Sequence, residues 1–99
     1  MDLAMMFQRE LVEKMARAKK ECKYNPTRFN QMLAQYGGVE TAKRLIRESI
    51  RTGNASDGFT TLHLVGRLDL SMEDSVCDPK YSELFTAEEI AQCKTLLGR

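Results

Sequence analysis

The stretch Asn25-Pro26-Thr27-Arg28-Phe29-Asn30-Gln31-Met32-Leu33-Ala34-Gln35-Tyr36-Gly37-Gly38-Val39 holds a helix start, an apolar stripe and a helix stop. A carboxamide such as that of Asn25 accepts from the unpaired N–H groups of a first turn, and proline at the first helical position gives up a donor that had no partner. Phe29, Met32, Leu33 and Tyr36 then fall at i, i+3, i+4 and i+7. Glycine takes left-handed backbone at no Cβ cost, so Gly37-Gly38 closes this helix. A second stripe, Val39, Ala42, Leu45, Ile46 and Ile50, begins at once. Two helices therefore meet at a tight corner.

Upstream, Leu3, Phe7, Leu11, Met15, Ala18 and Cys22 recur at steps of four or three, which predicts a helix from about Asp2 to Lys23. Met5, Met6, Val12 and Ala16 widen its apolar surface beyond one stripe, leaving self-association through this helix open. Downstream, Ser56 or Asp57 caps a short helix carrying Phe59, Leu62 and Val65 up to Gly66. Leu68-Asp69-Leu70 alternates, but three residues with no partner cannot make a sheet, so they read as an extended link with both leucines pinned in the core. Ser71 with Asp74 resembles a capping box, Asp78-Pro79 starts another turn, and Thr86 with Glu89 is a Thr-x-x-Glu box before Ile90, Cys93, Leu96 and Leu97. The fold class is all-α: one domain over residues 1–99, a bundle of three longer helices with two or three short ones. Phe29, Leu33, Leu45, Ile46, Phe59, Leu62, Leu68, Leu70, Phe85, Ile90 and Leu97 are its expected core.

A chain of 99 residues, 42% hydrophobic and 29% charged, buries roughly 60–65% of its unfolded surface, which excludes a two-domain enzyme. No apolar run approaches the roughly 18 residues that cross a bilayer and no basic-then-apolar leader opens the chain, so no membrane partner and a cytoplasmic location are expected. Cys22, Cys77 and Cys93 are odd in number and lack paired spacing, which makes reduced thiols the expectation. Only a meeting of all three with His63 would make a zinc site. Asp57, Asp69, Glu73 and Asp74 crowd one region, but a divalent-cation loop spacing is absent and helix capping already occupies Asp57 and Asp74. His63, the sole imidazole, has no spacing to a nucleophile or a third, orienting group. No catalytic residue, metal or cofactor is expected.

Residues 1–52 carry eleven Lys/Arg against six Asp/Glu, a balance of +5, and the remainder four against eight, −4. Most of the functional interest lies on the helix expected from Val39 to Arg51, where Lys43, Arg47 and Arg51 recur every four residues with Arg44 beside them. Four cations along one face can follow a phosphate backbone or meet an acidic protein surface. A pI near 7.7 favours a solvated face instead.

The phrases Tyr24-Asn25-Pro26-x-Arg28-Phe29, Gly37-Gly38-Val39-Glu40-x-Ala42, Ser56-Asp57-Gly58-Phe59-Thr60-Thr61-Leu62, Gly66-Arg67-Leu68-Asp69-Leu70-Ser71-x-Glu73, Pro79 and Leu84-Phe85-Thr86-x-Glu88-Glu89 together resemble a small all-helical bacterial domain family of uncharacterised function. The resemblance spans most of the chain from Tyr24 onward. It implies a domain found alone or at the C-terminus of longer proteins, some with nuclease-like or defence-associated neighbours, and it transfers no catalytic residues. His63 departs from the pattern, in which a larger residue such as Trp is common. The combined reading is a non-enzymatic helical interaction domain engaging a protein partner. The alternative is a nucleic-acid-binding accessory domain that uses Lys43, Arg44, Arg47 and Arg51.

Overall fold

A computed structural model describes residues 2–99. Six α-helices and two 3-10 turns follow in order: α1 (Leu3–Cys22), α2 (Thr27–Tyr36), α3 (Gly38–Thr52), α4 (Asp57–Leu64), a 3-10 turn (Leu68–Leu70), α5 (Met72–Val76), a second 3-10 turn (Pro79–Leu84) and α6 (Ala87–Leu97). There is no strand among the described residues, so the chain is all-α.

The long helix α1 starts where the Asp2 carboxylate accepts from the Met5 N–H at 2.8 Å. It lays Phe7, Leu11, Met15 and Ala18 against the rest of the molecule. Its exit is unusual: Lys23 takes left-handed backbone (φ 56), and among the described residues no other non-glycine residue does. A lysine there costs roughly 1–2 kcal/mol in local strain, and the Tyr24 N–H closes the turn by donating to the Ala18 carbonyl at 3.3 Å. That reversal folds Tyr24 back along the molecule.

The start of α2 differs from the expectation. Pro26 is itself the cap residue, with no side chain capping the helix. The Thr27 N–H donates to the Asn25 backbone carbonyl at 2.9 Å, and Pro26 at φ −79, ψ 67 is the centre of an inverse γ-turn. Its ψ lies outside the helical range, so the helix begins one residue later and the Asn25 carboxamide is left on the surface.

At the corner between α2 and α3 the two glycines do different work. Gly37 has φ 80 and ψ 172, backbone open essentially to glycine alone. Gly38 has ordinary helical backbone, but a Cβ there would lie 2.7 Å from Gln8 Cα, and its N–H donates to Gln8 Oε1 at 3.1 Å. The corner is thereby pressed against α1. Gly→Ala inside a helix ordinarily stabilises by up to about 1 kcal/mol. Gly38→Ala is expected to destabilise instead, by about 1–3 kcal/mol as α1 and α3 are forced apart; a urea midpoint at or above wild type would contradict this.

From α3, Thr41, Ala42, Leu45, Ile46 and Ser49 turn inward. In α4, Ser56 rather than Asp57 is the cap, its Oγ accepting from the Phe59 N–H at 3.2 Å. Val65, in the apolar set read on this helix, is exposed, as is Leu64: the helix ends at Leu64, and Gly66 (φ 73) makes the turn that follows. The expected extended link is a 3-10 turn: the Ser71 N–H and hydroxyl both donate to the Leu68 carbonyl, at 3.0 and 2.7 Å. Arg67 fixes it, gripping Asp69 with two nitrogens (3.0 and 3.1 Å) and Glu21 of α1 with the third (2.9 Å). The Ser71–Asp74 box is half made. Ser71 Oγ accepts from the Asp74 N–H at 3.2 Å, while the Asp74 carboxylate takes Lys14 (3.2 Å) and Arg99 (2.7 Å) instead. The Thr86–Glu89 box on α6 is complete.

The main core joins Phe7 and Leu11 to Leu33, Ala42, Leu45, Ile46, Met72, Val76, Tyr81, Phe85 and Cys93. Of the expected core, Phe29, Leu68, Ile90 and Leu97 are only half-buried. Leu68 packs on a second, smaller cluster of Ala18, Leu62 and Leu70, and Phe29 borders the main core and, with Leu62, a small inner space at the candidate site.

Candidate functional site

The four cations of α3 do not act as one stripe. Lys43 leans toward α6, its ammonium 2.7 Å from Glu89 Oε1 and 5.3 Å above the Phe85 ring. Arg44 lies 3.1 Å from Glu40 and stacks 3.9 Å over the Tyr36 ring. Arg47 shares the Glu40 carboxylate at 3.2 Å and donates to the Lys43 carbonyl. Arg51 has no partner among the described residues. Arg44, Arg47 and Arg51 line an open cleft of about 440 Å³ together with Glu40 and Glu48. A phosphate arriving there competes with carboxylates already in place. The spacing was visible in the sequence, and so was Glu40 one turn away; Glu89, 46 residues along the chain, was not.

The other candidates are dispersed. His63 is exposed and stacks on Phe59 with ring centres 6.2 Å apart, and it lines none of the principal clefts. All three cysteines are free, and burial pushes the Cys77 and Cys93 thiols up, away from the reactive thiolate. Asp69 belongs to Arg67, which holds it below its ordinary value, and Asp74 to Lys14 and Arg99. No three His, Cys, Asp or Glu side chains gather as metal ligands among the described residues.

What the structure does bring together was read in the sequence only as caps, core positions and scattered carboxylates, not as one site. The start of α2 and the start of α4 face each other across a furrow. One hollow of about 270 Å³ has Phe29, Met32 and Leu45 as its floor and Tyr24, Asn25, Arg28 and Asp57 around it. A second, of about 230 Å³, shares Arg28, Leu45, Ser56 and Asp57 and continues toward Glu48, Thr52 and Asn54. Arg28 and Glu48 approach to 3.7 Å across this extension.

Below the first hollow lies a small inner space of about 20 Å³, bounded by Tyr24, Phe29, Phe59 and the Glu73 side chain. Glu73 is 4% exposed, and burial drives its carboxyl up to about 7. Its own backbone N–H, the charge of Lys14 and a hydrogen bond from the Ser56 hydroxyl pull the other way without offsetting it. Lys14 itself is held by Asp74 and the Ser71 carbonyl, both at 3.2 Å. Gly58 makes the wall possible, because a Cβ there would stand 3.1 Å from the Tyr24 hydroxyl. Two of the stretches quoted above, Tyr24–Phe29 and Ser56–Phe59, thus supply both banks, and Glu73 of a third lies at the base. Glu73 was visible in the sequence only as one of four neighbouring carboxylates; nothing there marked it as buried.

Comparison with known proteins yields no match to a family model, a curated protein or a solved structure. The functional reading therefore rests on the site alone.

Proposed function

We propose that this chain is a small, non-enzymatic helical binding domain that engages a protein partner through the furrow between the starts of α2 and α4. The observation that carries this reading is the furrow's make-up: an apolar floor of Phe29, Met32 and Leu45 inside a rim of Asn25, Arg28, Glu48 and Asp57. An apolar centre with a polar rim is the anatomy of a protein interface. Membership of the small bacterial helical family that the chain resembles is part of the same proposal.

Nucleic-acid binding through Lys43, Arg44, Arg47 and Arg51 ranks second, since three of the four cations are spent on Glu40 and Glu89. The outer face of α1 exposes Met5, Met6 and Val12, and the open cleft that Met5 borders is otherwise lined largely by polar and glycine residues, among them Asp2, Gln8, Gly37, Gly38, Glu40 and Lys43.

Selection of random heptapeptides on the immobilised full chain tests the reading. Enriched peptides are expected to bind Met32→Glu at least about tenfold more weakly, as for an anchor lost from an interface centre, with the helical circular dichroism spectrum kept. Failure to enrich any peptide, or enrichment of peptides indifferent to Met32→Glu, would sink it. A gel shift with unrelated duplexes at low salt is expected to show no retardation; a band lost in the Lys43→Glu/Arg47→Glu variant would put the nucleic-acid reading first.

A further inference from the structure

We propose that the inner space beneath the furrow takes the ammonium group of a lysine on the partner protein, with the Glu73 carboxylate as counter-charge and Tyr24, Phe29 and Phe59 as walls. The inference rests on the furrow being a protein-binding surface and names the side chain that anchors there.

Three observations select this chemistry. The first is an unmatched charge site: Glu73 is 4% exposed, yet no cation lies within ion-pair distance of it among the described residues. Lys14, the cation that influences it, is committed elsewhere by Asp74 and the Ser71 carbonyl. The second is size. About 20 Å³ admits one water-sized group, which an ammonium is and a planar guanidinium is not. The third is the approach. The outer hollow lies against the inner one, with Tyr24, Phe29, Ser56 and Gly58 lining both, and its Phe29 and Met32 floor suits the four-methylene stem of lysine. Aromatic faces attract a cation most strongly once it leaves water. Asp57 at the rim adds a second negative charge on the path, and the rim cation Arg28 is engaged with Glu48.

Binding is coupled to a proton. An ammonium needs Glu73 ionised, so at neutral pH part of the protein releases the carboxyl proton to solvent as the lysine enters, and no covalent bond changes. The other groups facing Glu73 do not complicate this step. Lys14 from α1 and Asp74 beside it are paired with each other, Ser56 carries no charge, and the Cys77 and Cys93 thiols, pushed up, stay neutral.

The test is an NMR titration of the isotope-labelled full chain with Nα-acetyl-lysine methylamide, against the norleucine and arginine derivatives. The lysine compound is expected to move the Glu73 carboxyl and the Tyr24 and Phe59 ring resonances and to lower the Glu73 titration midpoint. Its affinity is expected to be about tenfold higher at pH 8 than at pH 6, following the ionised fraction of a carboxyl near 7. Glu73→Gln is expected to weaken binding and abolish that pH dependence. If the norleucine compound moves Phe29 and Met32 equally well while the Glu73 midpoint stays put, the lysine assignment falls and the furrow stands as a protein-binding surface. Stationary Glu73 and Tyr24 resonances with millimolar lysine compound overturn the assignment as well; the peptide selection decides the wider reading separately.

Discussion

Replacing Phe7 by alanine is expected to remove about 3–5 kcal/mol of unfolding free energy, the range for an aromatic lost from a core that cannot collapse around the gap. Phe7 is fully buried, and its ring is met edge-on by Tyr81 (5.1 Å, 83°) and by Phe85 (5.1 Å, 63°). Those two residues belong to the second 3-10 turn and the segment just after it, which have little helix of their own to hold them. Tyr81 is anchored from the other side by donating to Glu10 Oε1 at 3.1 Å, and Ser75 donates to the same carboxylate at 2.6 Å. The surrounding atoms are therefore fixed from α1, and the cavity left by alanine stays open. For a chain of this size the loss is a large part of the total stability. Met5→Ala, on the exposed side of the same helix, should shift it by no more than about 0.5 kcal/mol. Urea titrations of both variants check the pair, and a loss below about 1 kcal/mol for Phe7→Ala would show that the 3-10 segment relaxes into the space.

The same residues mark the boundary of what the sequence discloses. Phe7 was legible as one position of a helical stripe that continues through Leu11, Met15 and Ala18, though it was not among the residues expected in the core. Tyr81 was not: a 3-10 turn of six residues has no 3.6-residue period, and nothing local says that its hydroxyl will reach a carboxylate 71 residues away. The helix ends were legible where a side chain caps its own turn, as at Ser56, Ser71 and Thr86. They shifted where backbone geometry prevailed, as at Pro26. The furrow depends on Tyr24 being turned back by a left-handed Lys23, and a lysine gives no warning of that conformation as a glycine would. The cations of α3 were visible as a spacing, but the neutralising contact to Glu89 is a product of the fold.

Glu73→Gln is expected to raise stability by about 3 kcal/mol at pH 8 and to leave it nearly unchanged at pH 4.5. The Glu73 carboxyl lies at about 7 in the folded chain against an ordinary 4.5, and each unit of difference is worth about 1.4 kcal/mol. Below 4.5 both states hold the proton and the residue costs nothing extra. As pH rises from 4.5 toward 7 the unfolded chain ionises freely while the folded one resists, so the wild type loses stability across that window. Above 7 the loss is complete. Glu10, Asp69 and Glu89, all held below their ordinary values, act in the opposite sense and in a different window: their contribution is present above those ordinary values, 4.5 for the glutamates and 3.8 for Asp69, and is lost as pH falls below them. Denaturant titrations of wild type and Glu73→Gln from pH 4.5 to 8 isolate the one from the others, and parallel curves would show that Glu73 is solvated or already paired. The variant gains stability over the same range in which wild type becomes competent to hold an ammonium. A buried carboxyl that weakens the folded chain at neutral pH has its compensation in a cation from outside, so saturating lysine derivative should narrow the gap between wild type and Glu73→Gln at pH 8 and leave it unchanged at pH 4.5.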